Sequence, residues 1–507
     1  MEFLKTTRAS RILLITNLLL SVTYFGYFTF MSPVGNPVLF GLLVVAGMYH
    51  LWQVLSYIHS VWPRKRHREF SAAFTPAVGV FITVCGEPND IVEETVIAAK
   101  AMDYPEYNIY ILNDGFVANR DNWKEAELLA KKHGIKCITR KTPGGAKAGN
   151  INNALAKTKE PFAVIFDADH VPKPHFLRAM MGYFVDERVA FVQSPQYYKN
   201  HDKNMVTGGS WEQQALFFGA IMKGKDTSDT AFMCGTNMVL RRTAVLEAGG
   251  MCETSIAEDF LTSLLIHEKK WKSVYVDEVL AEGLAPEDFL SYYKQQFRWA
   301  RGSLEVIFKY NPLFRRGLTM SQRLQYLSSA GFYLSGLVVL LNATLPLIYF
   351  FAGLEPLAIG TMSLALIFLP YMFVVLYTIQ VTSNFSYTFR ALSFSLSSFP
   401  IHCKAVWQIL TGKKSGFVVT SKKKVSGNFG YLVTPHLVYI GLVGFGILVG
   451  LLREGLTAAM VANIAWAVIY IAIFAPFISA AFEKTSSDEE TDKDEIAITP
   501  VKKEARG

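Results

Sequence analysis

The sequence is poor in cysteine: five residues in 507 (Cys85, Cys137, Cys234, Cys252 and Cys403), with no C-x-x-C spacing. That excludes a disulfide framework and a zinc site of the paired-cysteine kind. No internal repeat is present. No small-residue cleavage site cleanly follows the first apolar run, so that run is expected to be retained and not removed as a signal peptide. Charged residues make up only 18%, and no line of them crosses the apolar runs. A transporter without catalysis is disfavoured on that ground. The net charge of +8 does not call for nucleic acid, because the basic residues crowd the ends of the apolar runs, where anionic lipid headgroups attract them.

What the sequence has in quantity is apolar residue, 51% of the chain, clumped at its two ends. About 20 apolar residues span a bilayer as a helix. Two such stretches precede the central region, Leu13–Phe30 and Val38–Ile58, and four follow it: Tyr326–Phe351, Leu357–Ile379, Leu432–Leu452 and Ala458–Ala480. Lys5, Arg8 and Arg11 stand before the first stretch, Arg64, Lys65 and Arg66 after the second, and Lys413, Lys414 and Lys422–Lys424 between the fourth and fifth. The loops near Ser32–Asn36 and Gly353–Pro356 carry neither Lys nor Arg. The positive-inside rule then puts both termini and the central region in the cytoplasm. The expected location is an integral, multi-pass plasma or inner membrane.

From Ala77 the pattern turns to soluble α/β. Strand-like Val78–Val84, helix-like Asp90–Ala101, strand-like Ile109–Leu112, helix-like Asp121–His133 and strand-like Ile135–Ile138 alternate. That order predicts a largely parallel sheet, whose ligands bind beyond the carboxyl ends of the strands. The polar motifs fall at those ends. Asn113-Asp114-Gly115 follows one strand, although N-D-G is also an ordinary turn sequence. Gly144-Gly145-Ala146-Lys147-Ala148-Gly149-Asn150 supplies a cation and glycines that allow close backbone approach. Phe166-Asp167-Ala168-Asp169-His170 ends an apolar strand with two carboxylates at i and i+2, which in extended chain share one face. Carboxylate oxygens paired in this way suit a hard divalent cation.

Further along, Gln193-Ser194-Pro195-Gln196-Tyr197-Tyr198 is polar and aromatic, and Phe232-Met233-Cys234-Gly235-Thr236-Asn237 contains a cysteine read as a packing residue and not a nucleophile. Glu258-Asp259 opens a helix-like run that precedes a β-branched stretch, Ser273–Val276. A second helix-like run carries Gln295-Gln296-Phe297-Arg298-Trp299. Gln295 and Arg298, three apart, share a helical face. Phe417-Val418-Val419-Thr420-Ser421-Lys422 follows a stretch, Asn384–Leu410, too polar to span and read as interfacial helices.

These motifs, in this order from about Thr75 to Lys424, resemble the signature of the processive family-2 glycosyltransferases of the cellulose synthase and cellulose synthase-like group. The resemblance implies a GT-A-type, Rossmann-like domain with a mostly parallel sheet, embedded in a membrane domain of about six transmembrane helices plus interfacial helices. It implies that Asp114 contacts the uridine of a sugar nucleotide, that Lys147, Asp167, Gln295 and Arg298 bind the same donor, and that Asp169 is the ligand of Mg2+ or Mn2+. Asp259 becomes the general base, and Cys234, Gly235 and Trp299 border the acceptor sugar. Thr420 and Lys422 belong to a gating loop over bound UDP, residues 412–428. The family pattern at the base is T-E-D, and here Ala257 holds the first position, with little consequence expected because the carboxylates are retained.

The expected organisation is two transmembrane helices (1–62), a cytoplasmic catalytic domain (63–315), four transmembrane helices with interfacial helices and the gating loop (316–482), and a disordered tail (483–507). That tail is too short for the PilZ domain that bacterial cellulose synthases typically carry, so in-chain control by cyclic di-GMP is not expected. The expected function is an inverting, processive transfer from a UDP-sugar, UDP-glucose before others, to a growing β-linked glucan that the same chain moves across the bilayer, with room for accessory export subunits. The rivals are a synthase of another β-linked polymer (mannan, β-1,3-glucan or aminosugar) and a non-processive lipid glycosyltransferase.

Overall fold

The computed structural model describes residues 9–64, 66–358, 361–413, 427 and 429–483. Of the expected gating loop only residues 412, 413 and 427 are described; Thr420 and Lys422, and all but the first residue of the expected tail, lie outside the described residues.

Alternation along the apolar strands dictates a sheet covered on both faces. In β1 (Val78–Val84), Val78, Val80, Ile82 and Val84 point into one hydrophobic cluster and Phe81 into another. Phe162, Val164 and Phe166 join the first cluster, and Ala163 and Ile165 the second. Period-two alternation with both sides apolar is the mark of a buried, largely parallel sheet. Each large side chain so buried contributes roughly 1.5–3 kcal/mol. The remaining strands are β2 (Tyr107–Asn113), β3 (Lys136–Thr139), β4 (Phe162–Asp167), β5 (Val171–Pro172), β6 (Val189–Gln193), β7 (Tyr197–Tyr198), β8 (Met238–Arg241), β9 (Lys272–Tyr275) and β10 (Ala281–Gly283). Seven of them form one sheet in the order β3-β2-β1-β4-β8-β6-β9. All its pairings are parallel except those of β8, which runs antiparallel to β4 and β6. A second, three-stranded sheet, β5-β10-β7, lies where the chain leaves the D-A-D segment.

Among the described residues, six helices are long and apolar enough to cross a membrane: Arg11–Phe30, Pro37–Val61, a run over Met320–Ala352, Ala365–Thr382, a run over Gly430–Glu454, and Ala458–Phe482. Two differ from the sequence expectation. The third is not one α-helix: Met320–Gly331 is separated from Ser335–Ala352 by the 3-10 turn Phe332–Leu334. Hydropathy alone does not register such a change of winding. The fourth begins later than Leu357, because Leu357 bridges Val34 and Asn36 N donates to Glu355 O at 2.7 Å. These backbone bonds tie the two short loops together.

The polar stretch after the fourth span forms helices Phe389–Ser397 and Phe399–Leu410. Ala405 and Val406 of the latter meet Ala300 and Leu304 of the Phe289–Glu305 helix, so the two domains share a core. They also meet at Gly224, where a Cβ would lie 1.8 Å from Ser60 O. Only glycine permits that approach.

Candidate active site

The carboxyl ends of β1, β2 and β4 converge, and their register explains which side chains meet. Asp167 is opposite Thr83, and Asn113 is opposite Val84. After β2, Asn113 Oδ1 accepts from Gly115 N at 2.9 Å and Asp114 N donates to Val84 O at 2.8 Å, which fixes the turn. Asp114 is then gripped by Arg140, whose Nε donates to Oδ1 at 2.7 Å and Nη2 to Oδ2 at 2.6 Å. Burial pushes the Asp114 carboxyl up, and Arg140 opposes that shift. The same guanidinium binds Gly144 O and, at 3.1 Å, Ala146 O. Arg140 therefore fastens the glycine-rich turn to the end of β2, a role the sequence analysis missed. Its only sequence cue is its place just past β3.

Gly144 and Gly145 take φ of 130° and 65°, and a helix, Ala146–Lys157, leaves directly from them. Lys147 on its first turn reaches across to β4. Its ammonium pairs with Asp167 Oδ1 and donates to Gly235 O at 2.8 Å. Burial pushes the Asp167 carboxyl up, but Lys147 and His170 win and hold it below its ordinary range.

Asp167, Asp169 and His170 each offer a ligand atom within 4.8 Å of the others. Asp169 Oδ2 accepts from Leu284 N at 3.1 Å, and His170 Nδ1 lies 3.5 Å from Asp169 Oδ1. His170 is buried, and neither ring nitrogen has a hydrogen-bond partner. A Cβ on Gly283 would stand 2.5 Å from its Nε2, so β10 leaves that imidazole its space. Two carboxylates and an otherwise unsatisfied imidazole fit a hard divalent cation. His170 stood in the quoted motif without an assigned role, because sequence spacing does not say which way its ring turns.

The opposite wall is the loop Phe232–Asn237. Cys234 is clamped through its backbone: its N donates to Gln193 Oε1 at 2.9 Å, and its O accepts from Gln196 Nε2 at 2.6 Å. Burial lifts the Cys234 thiol well above its usual range, with Asp259 adding to the effect. A thiol held protonated is a packing group and not a nucleophile. Gly235, at φ of 84°, faces Asp259, whose Oδ2 would be 3.1 Å from a Cβ there.

Glu258 and Asp259 begin the helix Glu258–Glu268, as their place at the head of a helix-like run predicts. Asp259 Oδ1 accepts from Phe260 N at 2.7 Å. Burial raises the Asp259 carboxyl despite Lys147 and Arg298. Burial and the Asp259 charge together raise Glu258 to about 7. Ala257 caps this helix, and a Cβ on Gly302 would lie 2.7 Å from the Ala257 Cβ. The small residue at this position matches that close helix approach.

Asp288 starts the helix Phe289–Glu305 by accepting from Ser291 N at 2.8 Å. That helix presents Gln295, Arg298 and Trp299 to a cavity of about 860 Å³. Asp114, Lys147, Asp167, Asp169, Cys234, Gly235 and Asp259 line the same cavity, so every expected site residue among the described residues is brought together. The cavity continues between the domains to Tyr57 and Ser60 on one side and Ser328 and Tyr333 on the other.

The chain is similar in sequence to known glycosyltransferases. A family model described as Glycosyltransferase like family 2 matches residues 76–302, and one described as Cellulose synthase matches residues 247–427. "Putative cellulose synthase 2" of Komagataeibacter xylinus is 33% identical over 427 residues, 81% of this chain and 28% of its own length. "Cellulose synthase catalytic subunit (UDP-forming)" of Pseudomonas fluorescens SBW25 is 30% identical over 466 residues, 88% of this chain and 62% of its own. The chain thus spans less than two thirds of these relatives. A solved mannosyltransferase from Pyrobaculum calidifontis, in complex with GDP-Man and Mn2+, superposes with a TM-score of 0.48 at 16% identity, covering 79% of this chain and 100% of that one.

Proposed function

The chain joins a family-2 glycosyltransferase region to a cellulose synthase region, and from that premise we propose that it is a membrane-bound, inverting, processive synthase of a β-linked glucan, with UDP-glucose as donor. The observation that carries the reading is the single cavity shared by the paired carboxylates at the end of β4, the half-buried Asp259, the Arg298–Trp299 helix face and the membrane helices.

In this proposal Asp114 and Arg140 form the nucleoside end of the pocket. Lys147 exchanges Asp167 for the donor's diphosphate, and Arg298 approaches that diphosphate from the opposite wall with charge-assisted hydrogen bonds. Asp169, with Asp167 and His170, would hold a divalent ion, whose charge would offset that of the diphosphate. Asp259 takes the proton from the acceptor hydroxyl as its oxygen bonds to the anomeric carbon. The bond from that carbon to the diphosphate breaks on the opposite face, and UDP leaves with the electron pair. A raised pKa suits this base, since proton transfer is most efficient when the base is poised near the working pH. Trp299 stacks on the acceptor ring. The product then moves into the space between the domains, toward the helices Pro37–Val61 and Met320–Gly331. The arrangement of Lys and Arg supports a cytoplasmic catalytic domain, and accessory export subunits are accommodated without being required.

The test is to incubate the purified full chain with individual UDP- and GDP-sugars and determine product linkages. Asp259→Asn should lower transfer by about 10² to 10⁴-fold while UDP binding changes little, and EDTA should abolish transfer. Transfer at the wild-type rate by Asp259→Asn, or in excess EDTA, overturns the corresponding assignment.

A further inference from the structure

Among the buried cations that the mechanism does not use is Lys225. Lys225 is 2% exposed, and none of the described carboxylates lies within ion-pair distance of it. Its chain neighbour Asp226 is taken by Arg68 at 2.5 Å, and Asp229 by Arg66 at 2.5 Å. Lys225 Nζ donates to Gln325 Oε1 at 2.6 Å and Gln325 O at 3.2 Å, and sits over the Phe232 ring at 5.8 Å. An ammonium has three donors, and the third has no acceptor among the described residues. Burial lowers this amine from 10.5 to about 7, and an acceptor on the third N–H would favour its charged form.

Its position is at the seam between the domains. Gly224 lies backbone to backbone against Ser60, and Ser60 Oγ donates to the same Gln325 Oε1 at 3.2 Å. A π-helical stretch, Phe217–Met222, immediately precedes it, and such turns concentrate at functional sites. Lys225, Ser60 and Gln325 line the cavity that also holds Asp259 and Trp299. Phe232, beneath the amine, belongs to the loop that borders Asp259. Lys225 thus stands one layer beyond the acceptor loop, on the membrane side. An apolar side chain of the same length would fill this place with less desolvation, so packing does not account for a lysine here.

We propose that Lys225 is a carbohydrate-binding residue, its third N–H donating to a hydroxyl of the growing polymer as the chain leaves the acceptor site for the space between the membrane helices. The proposal rests on the polymer-synthase reading. It assigns to this lysine the task of holding the product between successive additions, apart from the donor pocket.

The experiment compares wild type with Lys225→Met and Lys225→Gln in the detergent-purified full chain. Product length, KM for UDP-glucose, donor hydrolysis and thermal midpoint are measured. Lys225→Met should shorten the product by about tenfold, the scale of one hydrogen bond to a charged group. KM and hydrolysis should stay within about twofold, and the midpoint should hold or rise because an unpaired buried amine has gone. Lys225→Gln, which keeps a donor, should fall between Met and wild type. Unaltered length in Lys225→Met overturns the proposal and leaves the synthase reading intact. So does a shortening that tracks a lowered midpoint in both variants. A wild type that transfers only one sugar overturns both.

Discussion

Replacing Arg140 by Met tests the part of the site that only the structure supplies. The Arg140–Asp114 pair is bidentate, with side chains 7% and 10% exposed. Removing one member of a buried pair leaves the other charge uncompensated, at a cost of about 3–5 kcal/mol. For a domain of this size that corresponds to a fall of roughly 6–20 °C in melting temperature, at about 2–4 °C per kcal/mol. Arg140→Met also releases Gly144 O and Ala146 O, so the glycine-rich turn loosens and UDP affinity falls with stability. The pH dependence follows from the direction of the Asp114 shift. Burial raises that carboxyl, and loss of Arg140 raises it further. Its neutral form is therefore the stable one, and the deficit should be least below the ordinary carboxylate pKa and grow as pH rises through the raised value. Differential scanning fluorimetry of the full chain at pH 5 and pH 8, with UDP titrations, measures each effect. The double variant Arg140→Met, Asp114→Asn should recover at least half the stability without recovering UDP affinity. A single variant within about 0.5 kcal/mol of wild type, or a double variant no better than the single, refutes the reasoning.

Gly235→Ala should cost about 1–2 kcal/mol of stability from its left-handed backbone and lower transfer roughly 10- to 100-fold by displacing Asp259; equal rates in a folded variant would show that the loop does not position the base. Transfer should rise with pH as Asp259 loses its proton, and Glu258→Gln should leave that acid limb in place, because Glu258 keeps its proton until about pH 7. The raised Glu258 makes its contribution to stability greatest below pH 4.5, lost as pH rises through about 7, and the Gln variant should lack that slope. Trp299→Ala should shorten the product about fivefold, the value of about 1 kcal/mol of stacking, with donor hydrolysis unchanged; unaltered length separates Trp299 from the acceptor.

The sequence exposed those features that local chemistry decides. Strand ends at Asp114 and Asp167 were legible because apolar runs stop there and polar residues begin, and the six apolar stretches because bilayer thickness sets their length. What stayed hidden depends on tertiary register. Arg140 and Asp114 are 26 positions apart and meet only because β3 pairs with β2. The antiparallel β8 carries no mark of its direction. His170 enters the ligand set through the space that Gly283 leaves, and Lys225 reads as one more cation in Lys223–Asp226 until burial sets it apart. The break at Phe332–Leu334 is apolar, like its surroundings, and periodicity passes over it.

The most direct test of the central claim is product length at the earliest times, with protein held in excess over initiated chains and a radiolabelled UDP-glucose pulse followed by unlabelled chase. A processive synthase keeps its product in the cavity between additions, so long chains should be present from the first sampled turnovers and the chase should extend the labelled chains already bound. Products that grow in step, one sugar at a time across the whole population, or that stop at a single transferred sugar, would contradict the account.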